Sequence, residues 1–187
     1  MPVADLDRAA AVRQAMRSLV AERGFHGASM SAVAAEAGVA TGTAYTHYSS
    51  KDELVLAAYL ETKAELGEAA TRDLPGGASP EQGFRAIWHG IHRHLAANRD
   101  HARFLLQVDF SPYRERAHEA AMERGDALMR QAAAAGIAER LLPLPLDVLY
   151  DLGLGPAVRL AAAGEELDED ELGAVADACW RAISRPG

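Results

Sequence analysis

Residues 38–54, GVATGTAYTHYSSKDEL, combine hydroxyl, aromatic and glycine residues and contain no Lys, Arg, Asp or Glu before Lys51. Small side chains let a backbone come close to another molecule, while tyrosine, threonine and histidine supply hydrogen-bonding groups and flat apolar surface. A surface without carboxylates does not repel the phosphates of a nucleic acid. The residue types therefore favour contact with DNA. The candidate contact residues in this stretch are Thr41, Gly42, Thr43, Tyr45, Thr46 and His47.

Two short helices must position these residues. Residues 29–37 place Met30 and Val33 at helical spacing, and a tight turn at Gly38 leads to a second short helix at about 41–47. Two helices joined by a three- or four-residue turn that contains glycine form a helix-turn-helix. Such a unit presents its second helix to the major groove of DNA, with the N-terminal residues of that helix at the base edges.

Lys51 gives a second reason to expect a nucleic-acid partner. Ser50 is predicted to cap a helix that has Lys51 at its first position, where a cation opposes the helix dipole. Free backbone amides beside a lysine would suit a phosphate group. We therefore predict that Lys51 contacts the DNA backbone, in preference to a role as an ordinary solvated surface residue.

The remainder of the chain is predicted to be helical, because alanine-rich segments repeat apolar residues at three- and four-residue spacing and no stretch has sustained strand-like alternation. The first helix should end at a glycine within RGFHGAS at 23–29, and the prolines of LLPLPLD at 141–147 should stop a later helix. Start signals are predicted at Ser50 with Glu53, Ser79 with Pro80 and Gln82, Ser111 with Pro112, and Asp168 with Glu171.

The longest break, LPGGASPEQ at 74–82, follows a predicted connecting helix of about 50–70. We therefore predict an all-α chain with an N-terminal three-helix helix-turn-helix domain, including the connecting helix, in residues 1–66. Residues 67–187 would form a C-terminal helical domain.

Composition limits the possible functions. The 187 residues carry a net charge of −8 and have no basic tail, so any DNA binding must come from a few placed groups on one face. No apolar run approaches the roughly 20 residues of a membrane span, and the N-terminus lacks the features of a signal peptide. A cytoplasmic protein without a membrane partner is expected. The single Cys179 suits a reducing compartment.

The histidines of WHGIHRH suggest a metal site, but helical geometry argues against it. His92 and His94 fall on opposite flanks of their helix, and His89 with His92 would supply only two ligands. We therefore predict no metal site and no cofactor. No nucleophile with its base, glycine-rich phosphate loop or HExxH spacing is present, so no catalytic residue is predicted.

Residues 12–57 resemble the N-terminal domain of the TetR family of bacterial transcriptional regulators. The family pattern has a Gly-Tyr after the first helix, Ile-Ala, Ala-Gly-Val, Gly-x-x-Tyr-x-x-Phe and a Lys before an acidic residue and Leu. The matching positions are Val12, Leu19, Val20, Gly24, Phe25, Ser29, Val33, Ala34, Ala37, Gly38, Val39, Gly42, Tyr45, Tyr48, Lys51 and Leu54. The resemblance covers about a quarter of the chain.

This chain departs from the family pattern at a few positions. Ala40 and Thr41 replace the usual serine and variable polar residue, so the cap of the second helix is expected to move to Thr41. Tyr48 replaces the usual phenylalanine, and its hydroxyl would either contact phosphate or point to solvent. The second helix has no Arg or Lys, which removes the commonest bidentate contact with guanine. We expect water-mediated or apolar readout, with thymine methyls recognised by Thr43 and Tyr45.

The resemblance implies a homodimeric transcriptional repressor that binds double-stranded operator DNA of near-palindromic sequence and is released by a small hydrophobic effector. Ser29 and Ser31 join the DNA-binding set. The alternative is an all-α protein or enzyme that binds a small molecule or cofactor and whose helix-turn-helix does not bind DNA specifically.

The C-terminal domain would bind the effector and form the dimer. Trp88 lies on an apolar stripe of its helix, which fits either a core position or a pocket wall. The candidate effector-binding residues are Trp88, His92, Phe104, Gln107, Phe110, Tyr113 and Tyr150. The last helix and the segment 148–160, with a kink expected at Gly155-Pro156, would pair with their copies in a four-helix bundle. The candidate interface residues are Leu149, Leu152, Leu172, Val175, Cys179, Trp180 and Ile183.

Overall fold

A computed structural model of the chain describes residues 3–125 and 127–186. These residues form twelve helices and, apart from an isolated bridge between Leu141 and Ser184, no β-structure, which confirms the predicted all-α class. The helices are α1 (Val3–Gly27), α2 (Met30–Glu36), α3 (Thr41–His47), α4 (Lys51–Thr71), α5 (Pro80–Ala97), α6 (Arg99–Asp109), α7 (Arg114–Glu123), α8 (Ala127–Ala134), α9 (Ile137–Arg140), α10 (Leu146–Gly153), α11 (Gly155–Ala163) and α12 (Glu169–Ile183).

The chain divides into two compact units. The first contains residues up to Lys63 together with Arg103–Arg124, and the second contains Ala64–Ala102 and the residues from Gly125 onward. The division differs from a single cut at 66–67, because the C-terminal part of α6 and all of α7 belong with the first unit. Helices α4 and α6 each supply residues to both units.

The first unit is built on α1, against which α2 and α3 pack. Val12, Met16 and Leu19 of α1 and Val33 of α2 are at most 2% exposed. Each such side chain stabilises the fold by roughly 1.5–3 kcal/mol when it leaves water. The core of this unit therefore holds the two short helices that the sequence pattern predicted.

An ion-pair network ties α1 to α4. Arg13 and Arg17 each donate a hydrogen bond to the Glu61 carboxylate, and the Arg17 to Glu61 distance is 2.6 Å. Burial alone would raise the pKa of Glu61, but the bonds from the two guanidinium groups outweigh it and lower that pKa. The charged carboxylate thus holds α1, on which α2 and α3 pack, against α4.

The second unit packs α5 against α11 and α12. Trp88 and Leu95 of α5 are fully buried, and the rings of Phe84 and Trp180 lie 5.4 Å apart. Gly90 lets α5 approach α4 closely, since a Cβ at this position would lie 2.8 Å from the carbonyl oxygen of Ala69. A glycine is therefore required where these two helices touch.

Predicted helix starts were confirmed at three of the four positions, Ser50, Ser79 and Asp168. Ser79 and Asp168 both form reciprocal capping boxes, with Gln82 and Glu171 respectively. At α4, Ser50 accepts from the Glu53 amide as expected, but the Glu53 carboxylate accepts from the amide and hydroxyl of Ser49.

The predicted start at Ser111 was wrong, because α7 begins three residues later at Arg114. The Ser111 hydroxyl accepts from the Tyr113 amide and donates to the Val108 carbonyl, so it stabilises the turn that follows α6. A serine near a proline can satisfy a turn as well as a helix start.

The helix breaks near Gly24 and at Gly155-Pro156 can be compared with the expectations from the sequence. Helix α1 ends at Gly27, within the expected stretch 23–29, and Gly24 already interrupts it with φ 66° and ψ 179°. The expected kink at Gly155-Pro156 is a full break between α10 and α11 at Leu154. None of the described helices is long and apolar enough to cross a membrane.

Candidate nucleic-acid interface

The turn between α2 and α3 is built around Gly38. Its φ of +67° is a backbone conformation that residues with a Cβ atom rarely adopt. The Gly38 amide donates to the Ala35 carbonyl at 3.1 Å, and the Val39 amide donates to the Ala34 carbonyl at 2.9 Å. These bonds close the C-terminus of α2 and turn the chain into α3, as the sequence predicted.

Helix α3 starts differently from the expectation. Ala40 occupies the N-cap position without a side-chain capping bond, and Thr41 is the first helical residue. The predicted cap at Thr41 was therefore wrong, and the Thr41 side chain is exposed instead of folded over the helix start. Its hydroxyl adds to the polar surface of α3.

Helix α3 buries only Ala44 and exposes most of its other side chains. Tyr45 is 52% exposed, the largest apolar group on this helix. The Thr46 hydroxyl donates to the Gly42 carbonyl at 2.9 Å, so its methyl group is left as the contact surface. A Cβ at Gly42 would meet no atom within 4 Å, so this position faces open space.

The start of α2 carries the two serines. The Ser29 hydroxyl accepts from the Ala32 amide at 3.2 Å and therefore caps α2. The Ser31 hydroxyl lies 3.0 Å from that of Ser29, and both residues are exposed. Each hydroxyl retains capacity for a further hydrogen bond, since a hydroxyl can donate once and accept twice.

Tyr48 is a correction to the predicted DNA-binding set. Its side chain is 6% exposed, and its hydroxyl accepts from Arg13 at 2.6 Å and lies within hydrogen-bonding distance of the Ala9 carbonyl. The Tyr48 hydroxyl, which the usual phenylalanine lacks, therefore has its hydrogen-bonding partners inside the protein. Tyr48 faces neither phosphate nor solvent.

Lys51 has a structural partner that the sequence did not indicate. Its ammonium group donates a hydrogen bond to the Phe25 carbonyl and lies 6.0 Å from the centre of the Phe25 ring. This contact secures the chain just after the break at Gly24. Lys51 is half-buried and also lines an open cleft beside α3.

This cleft has a volume of about 830 Å³ and lies entirely within the first unit. On one side it is lined by predicted DNA-binding residues, and on the other by the turn between α6 and α7. The lining residues are Gly24, Phe25, His26, Ser29, Met30, Ser31, Thr41, Tyr45, Lys51, Gln107, Phe110, Ser111, Pro112 and Tyr113.

Aromatic side chains form the wall of the cleft. The Phe25 and Tyr113 rings lie 4.8 Å apart, and the Tyr113 hydroxyl donates to Asp52 at 2.8 Å. Burial and this carboxylate raise the pKa of Tyr113 to about 12, so the hydroxyl stays protonated at neutral pH. Phe110 is 81% exposed, so an apolar surface is available to a bound molecule.

The predicted effector-binding residues do not form a single set. Gln107, Phe110 and Tyr113 line the cleft of the first unit, whereas Trp88, His92 and Tyr150 belong to the second. Trp88 is fully buried and stacks on His92 with ring centres 5.7 Å apart, and Phe104 is also fully buried. A helical wheel could not distinguish these core positions from a pocket wall.

The predicted interface residues likewise fall into two groups, one buried within the chain and one partly exposed. Cys179, Trp180 and Ile183 are at most 7% exposed within one chain, so they are core residues. Burial raises the pKa of Cys179 and disfavours a reactive thiolate. Leu149, Leu172 and Val175 are half-buried, and Leu152 is 42% exposed. The neighbouring residues Leu144, Leu146 and Val148 are also apolar and exposed, although they were not among the predicted interface residues.

Two family models match this chain over complementary ranges. A model described as bacterial regulatory proteins of the tetR family matches residues 12–58, and a tetracyclin repressor-like C-terminal domain matches residues 80–184. A relative from Haemophilus influenzae, an uncharacterized HTH-type transcriptional regulator, is 28% identical over 190 residues, covering 99% of this chain and 100% of that protein.

Solved structures agree with these matches. A TetR-family transcriptional regulator from Haemophilus influenzae matches with a TM-score of 0.74 at 28% identity, over 98% of this chain and 100% of that one. A TetR family transcription regulator from Marinobacter aquaeolei shares the fold with a TM-score of 0.83 at 20% identity, with both chains fully covered. The C-terminal family model alone matches more than half of this chain, and the N-terminal model matches its helix-turn-helix. The chain therefore belongs to the tetR family of bacterial regulatory proteins and is a DNA-binding transcriptional regulator.

Proposed function

We propose that this regulator is a homodimeric repressor that binds a near-palindromic operator through α3 and is released by a small hydrophobic molecule. The observation that carries the proposal is the exposed surface of α3, which has no carboxylate, is open at Gly42 and presents Tyr45 to solvent. The regulator would act in the cytoplasm, where its DNA target lies, and without a catalytic step.

The side chains of α3 suit readout by shape and apolar contact. Tyr45 and Thr43 offer surfaces that fit thymine methyl groups, and Thr41 and His47 offer hydrogen-bonding atoms. Since α3 has no Arg or Lys, water-mediated bonds would supplement these contacts. Ser29 and Ser31, at the start of α2, would bind phosphate oxygens and fix the position of α3 on the duplex.

Lys51 is proposed as a phosphate contact with a second role in the fold. Its bond to the Phe25 carbonyl uses one of three ammonium donors, which leaves donors for an oxygen of the DNA backbone. The lysine would then connect the start of α4 to both α1 and the operator. A mutation at Lys51 should therefore lower both DNA affinity and stability.

A dimer is proposed because α10 leaves an apolar surface exposed. Leu146, Val148 and Leu152 are 46%, 38% and 42% exposed, and α10 packs on α12, which presents the half-buried Leu172 and Val175. We assign α10 and the accessible side of α12 to the subunit interface. Two copies of α3 would then read two half-sites one or more helical turns apart.

We place the effector in the cleft beside α3, against Phe110 and Tyr113. A hydrophobic molecule there would cover Tyr45 and Thr41, which the proposed operator complex needs. The effector and DNA would therefore exclude each other, and the reciprocal loss of affinity is the coupling that defines regulation. This assignment replaces the single pocket expected from Trp88 and its neighbours.

Binding to selected DNA tests the operator proposal. Fragments retained by the purified protein from a random duplex library would be sequenced, and their affinity measured by fluorescence anisotropy over a salt series. Tyr45→Ala should lower affinity for the selected sequence by roughly 10–100-fold and leave weak binding to unrelated DNA unchanged. The thermal unfolding of Tyr45→Ala should match wild type, because its side chain is half exposed.

Met122→Ala is the matched control, since Met122 is also an exposed apolar residue of the first unit, at 54%. It should bind the selected DNA like wild type. Recovery of no preferred sequence, or equal affinity for Tyr45→Ala and wild type, would reject α3 as the reading helix.

A further inference from the structure

Three side chains of the second unit converge without any role in the DNA surface. Glu65 lies in α4, His94 in the last turn of α5 and His101 in the first turn of α6. Each offers one ligand atom, and the three atoms all lie within 4.8 Å of one another. The His101 Nδ1 atom is 3.3 Å from the Glu65 Oε2 atom, and the two imidazole rings have centres 6.0 Å apart.

The turn between α5 and α6 creates this arrangement. Asn98 ends α5, and its side-chain amide donates to the His94 carbonyl at 2.8 Å. The Asn98 carbonyl accepts from the His101 amide at 2.9 Å, which starts α6. Asn98 therefore holds the last turn of one helix against the first turn of the next. His94 and His101 are thereby brought close together, whereas one continuous helix would hold residues seven apart about two turns, or roughly 10 Å, from each other.

We propose that Glu65, His94 and His101 form a binding site for a divalent transition-metal ion of the zinc class. Two imidazoles and a carboxylate are a ligand set that zinc accepts, whereas magnesium and calcium prefer oxygen ligands alone. Tetrahedral zinc holds its ligands at about 2.0–2.1 Å, so neighbouring ligand atoms are roughly 3.3 Å apart. The His101 to Glu65 distance already has this value, and the ligand atom of His94 lies within 4.8 Å of both.

The surroundings support a bound cation. His101 is 7% exposed, so the site is shielded from water on this side. The Glu65 side chain is 37% exposed and gives the ion access from solvent. Three protein ligands leave a coordination position for water or another small ligand.

Direct metal titration of the full-length protein tests the site, with no DNA present. After treatment with a chelator, zinc binding would be measured by isothermal titration calorimetry, and cobalt(II) would report coordination geometry by its visible spectrum. Wild type should bind one ion per chain. Glu65→Gln and His94→Gln should each weaken binding at least about 100-fold, since even residues that only orient a metal ligand cost 10–100-fold.

His89→Gln is the matched control, because His89 lies on the same helix, is also half-buried and is outside the cluster. It should bind zinc like wild type. Circular dichroism would establish that each variant is helical, and zinc should raise the unfolding temperature of wild type and His89→Gln but not of Glu65→Gln. Lack of stoichiometric binding by wild type would overturn the site, as would wild-type affinity in folded Glu65→Gln. Either result would leave the operator proposal untouched.

Discussion

Helices α3 and α10 resemble each other in construction and differ in the chemistry they expose. Each is short, and each buries a single small residue, Ala44 in α3 and Gly153 in α10. Helix α3 exposes tyrosine, threonine and glycine, whereas α10 exposes the branched aliphatic residues Leu146, Val148 and Leu152. Burial of an aliphatic surface is favourable only because apolar groups leave water, whereas hydroxyl and aromatic side chains can also form hydrogen bonds with bases and pack against them. A helix with so little buried surface is positioned by its neighbours, and its exposed chemistry indicates its partner.

The largest effect should follow from a charge on α10. Leu152→Glu places a carboxylate in the proposed apolar interface, where an unpaired charge is strongly unfavourable. We expect the dimer dissociation constant to rise at least about 100-fold, because a cost of a few kcal/mol corresponds to that factor. Sedimentation equilibrium would measure it. Affinity for a two-half-site operator should fall with the dimer, whereas α3 itself is unchanged.

Met122→Glu supplies the control for this change, since it introduces the same charge at an exposed apolar position of α7 in the first unit. It should remain dimeric. A Leu152→Glu protein that stays dimeric would show that α10 faces solvent in the assembly and is not the subunit interface.

The local structure of the helix-turn-helix could be predicted because it depends on consecutive residues. The turn at Gly38, the bounds of α3 and the exposure of Tyr45 follow from local patterns within one short stretch. Tyr48 was misassigned because its partner, Arg13, lies 35 residues earlier in the chain. Whether a tyrosine hydroxyl points outward or meets a buried guanidinium depends on packing that no local pattern contains.

The same limit applies to α5. Helical spacing correctly indicates that its histidines do not converge on one another, but His94 meets Glu65 and His101 from two other helices. Trp88 has the spacing of both a core residue and a pocket wall, and its complete burial places it in the core. Exposed Leu146 and Val148 were overlooked because they follow directly after the two prolines that dominate the pattern of that segment.

A smaller and more diagnostic effect is expected at Gly42. Gly42→Ala adds one methyl group to α3, and a Cβ there meets no protein atom within 4 Å. Alanine favours helix over glycine by up to about 1 kcal/mol, so the stability of the free protein should stay equal or rise. On the operator, the methyl group would separate α3 from the groove. We expect specific affinity to fall by roughly 10-fold, a cost of about 1.4 kcal/mol, in an anisotropy titration.

Gly76→Ala is a matched control, because Gly76 is also open to solvent, has no positive φ and lies in the loop between α4 and α5. It should leave operator affinity unchanged. If Gly42→Ala binds the operator as tightly as wild type, α3 does not approach the duplex as closely as its small side chains suggest.

A loss of stability, not of DNA contacts, is expected from the ion pairs that hold α1, on which α3 packs, against α4. Glu61→Gln removes the charge that Arg13 and Arg17 share, and a hydrogen bond to a charged group contributes about 1.5–3 kcal/mol. Because the Glu61 side chain is 26% exposed, we expect a loss nearer about 1–2 kcal/mol in urea unfolding at pH 7. Glu22→Gln, whose side chain is 67% exposed beside Arg23, should lose about 0–1 kcal/mol.

The pH dependence of this difference identifies its cause. The pKa of Glu61 in the folded protein is lowered, so its stabilising contribution is present above the ordinary glutamate pKa of about 4.3 and is lost as pH falls through the lowered value. The gap in unfolding free energy between wild type and Glu61→Gln should therefore persist from pH 7 to about 5 and shrink below about pH 4.3. A gap that stays constant into acid would assign the loss to altered packing of the substituted side chain, and the ion network would then not be what holds α1 to α4.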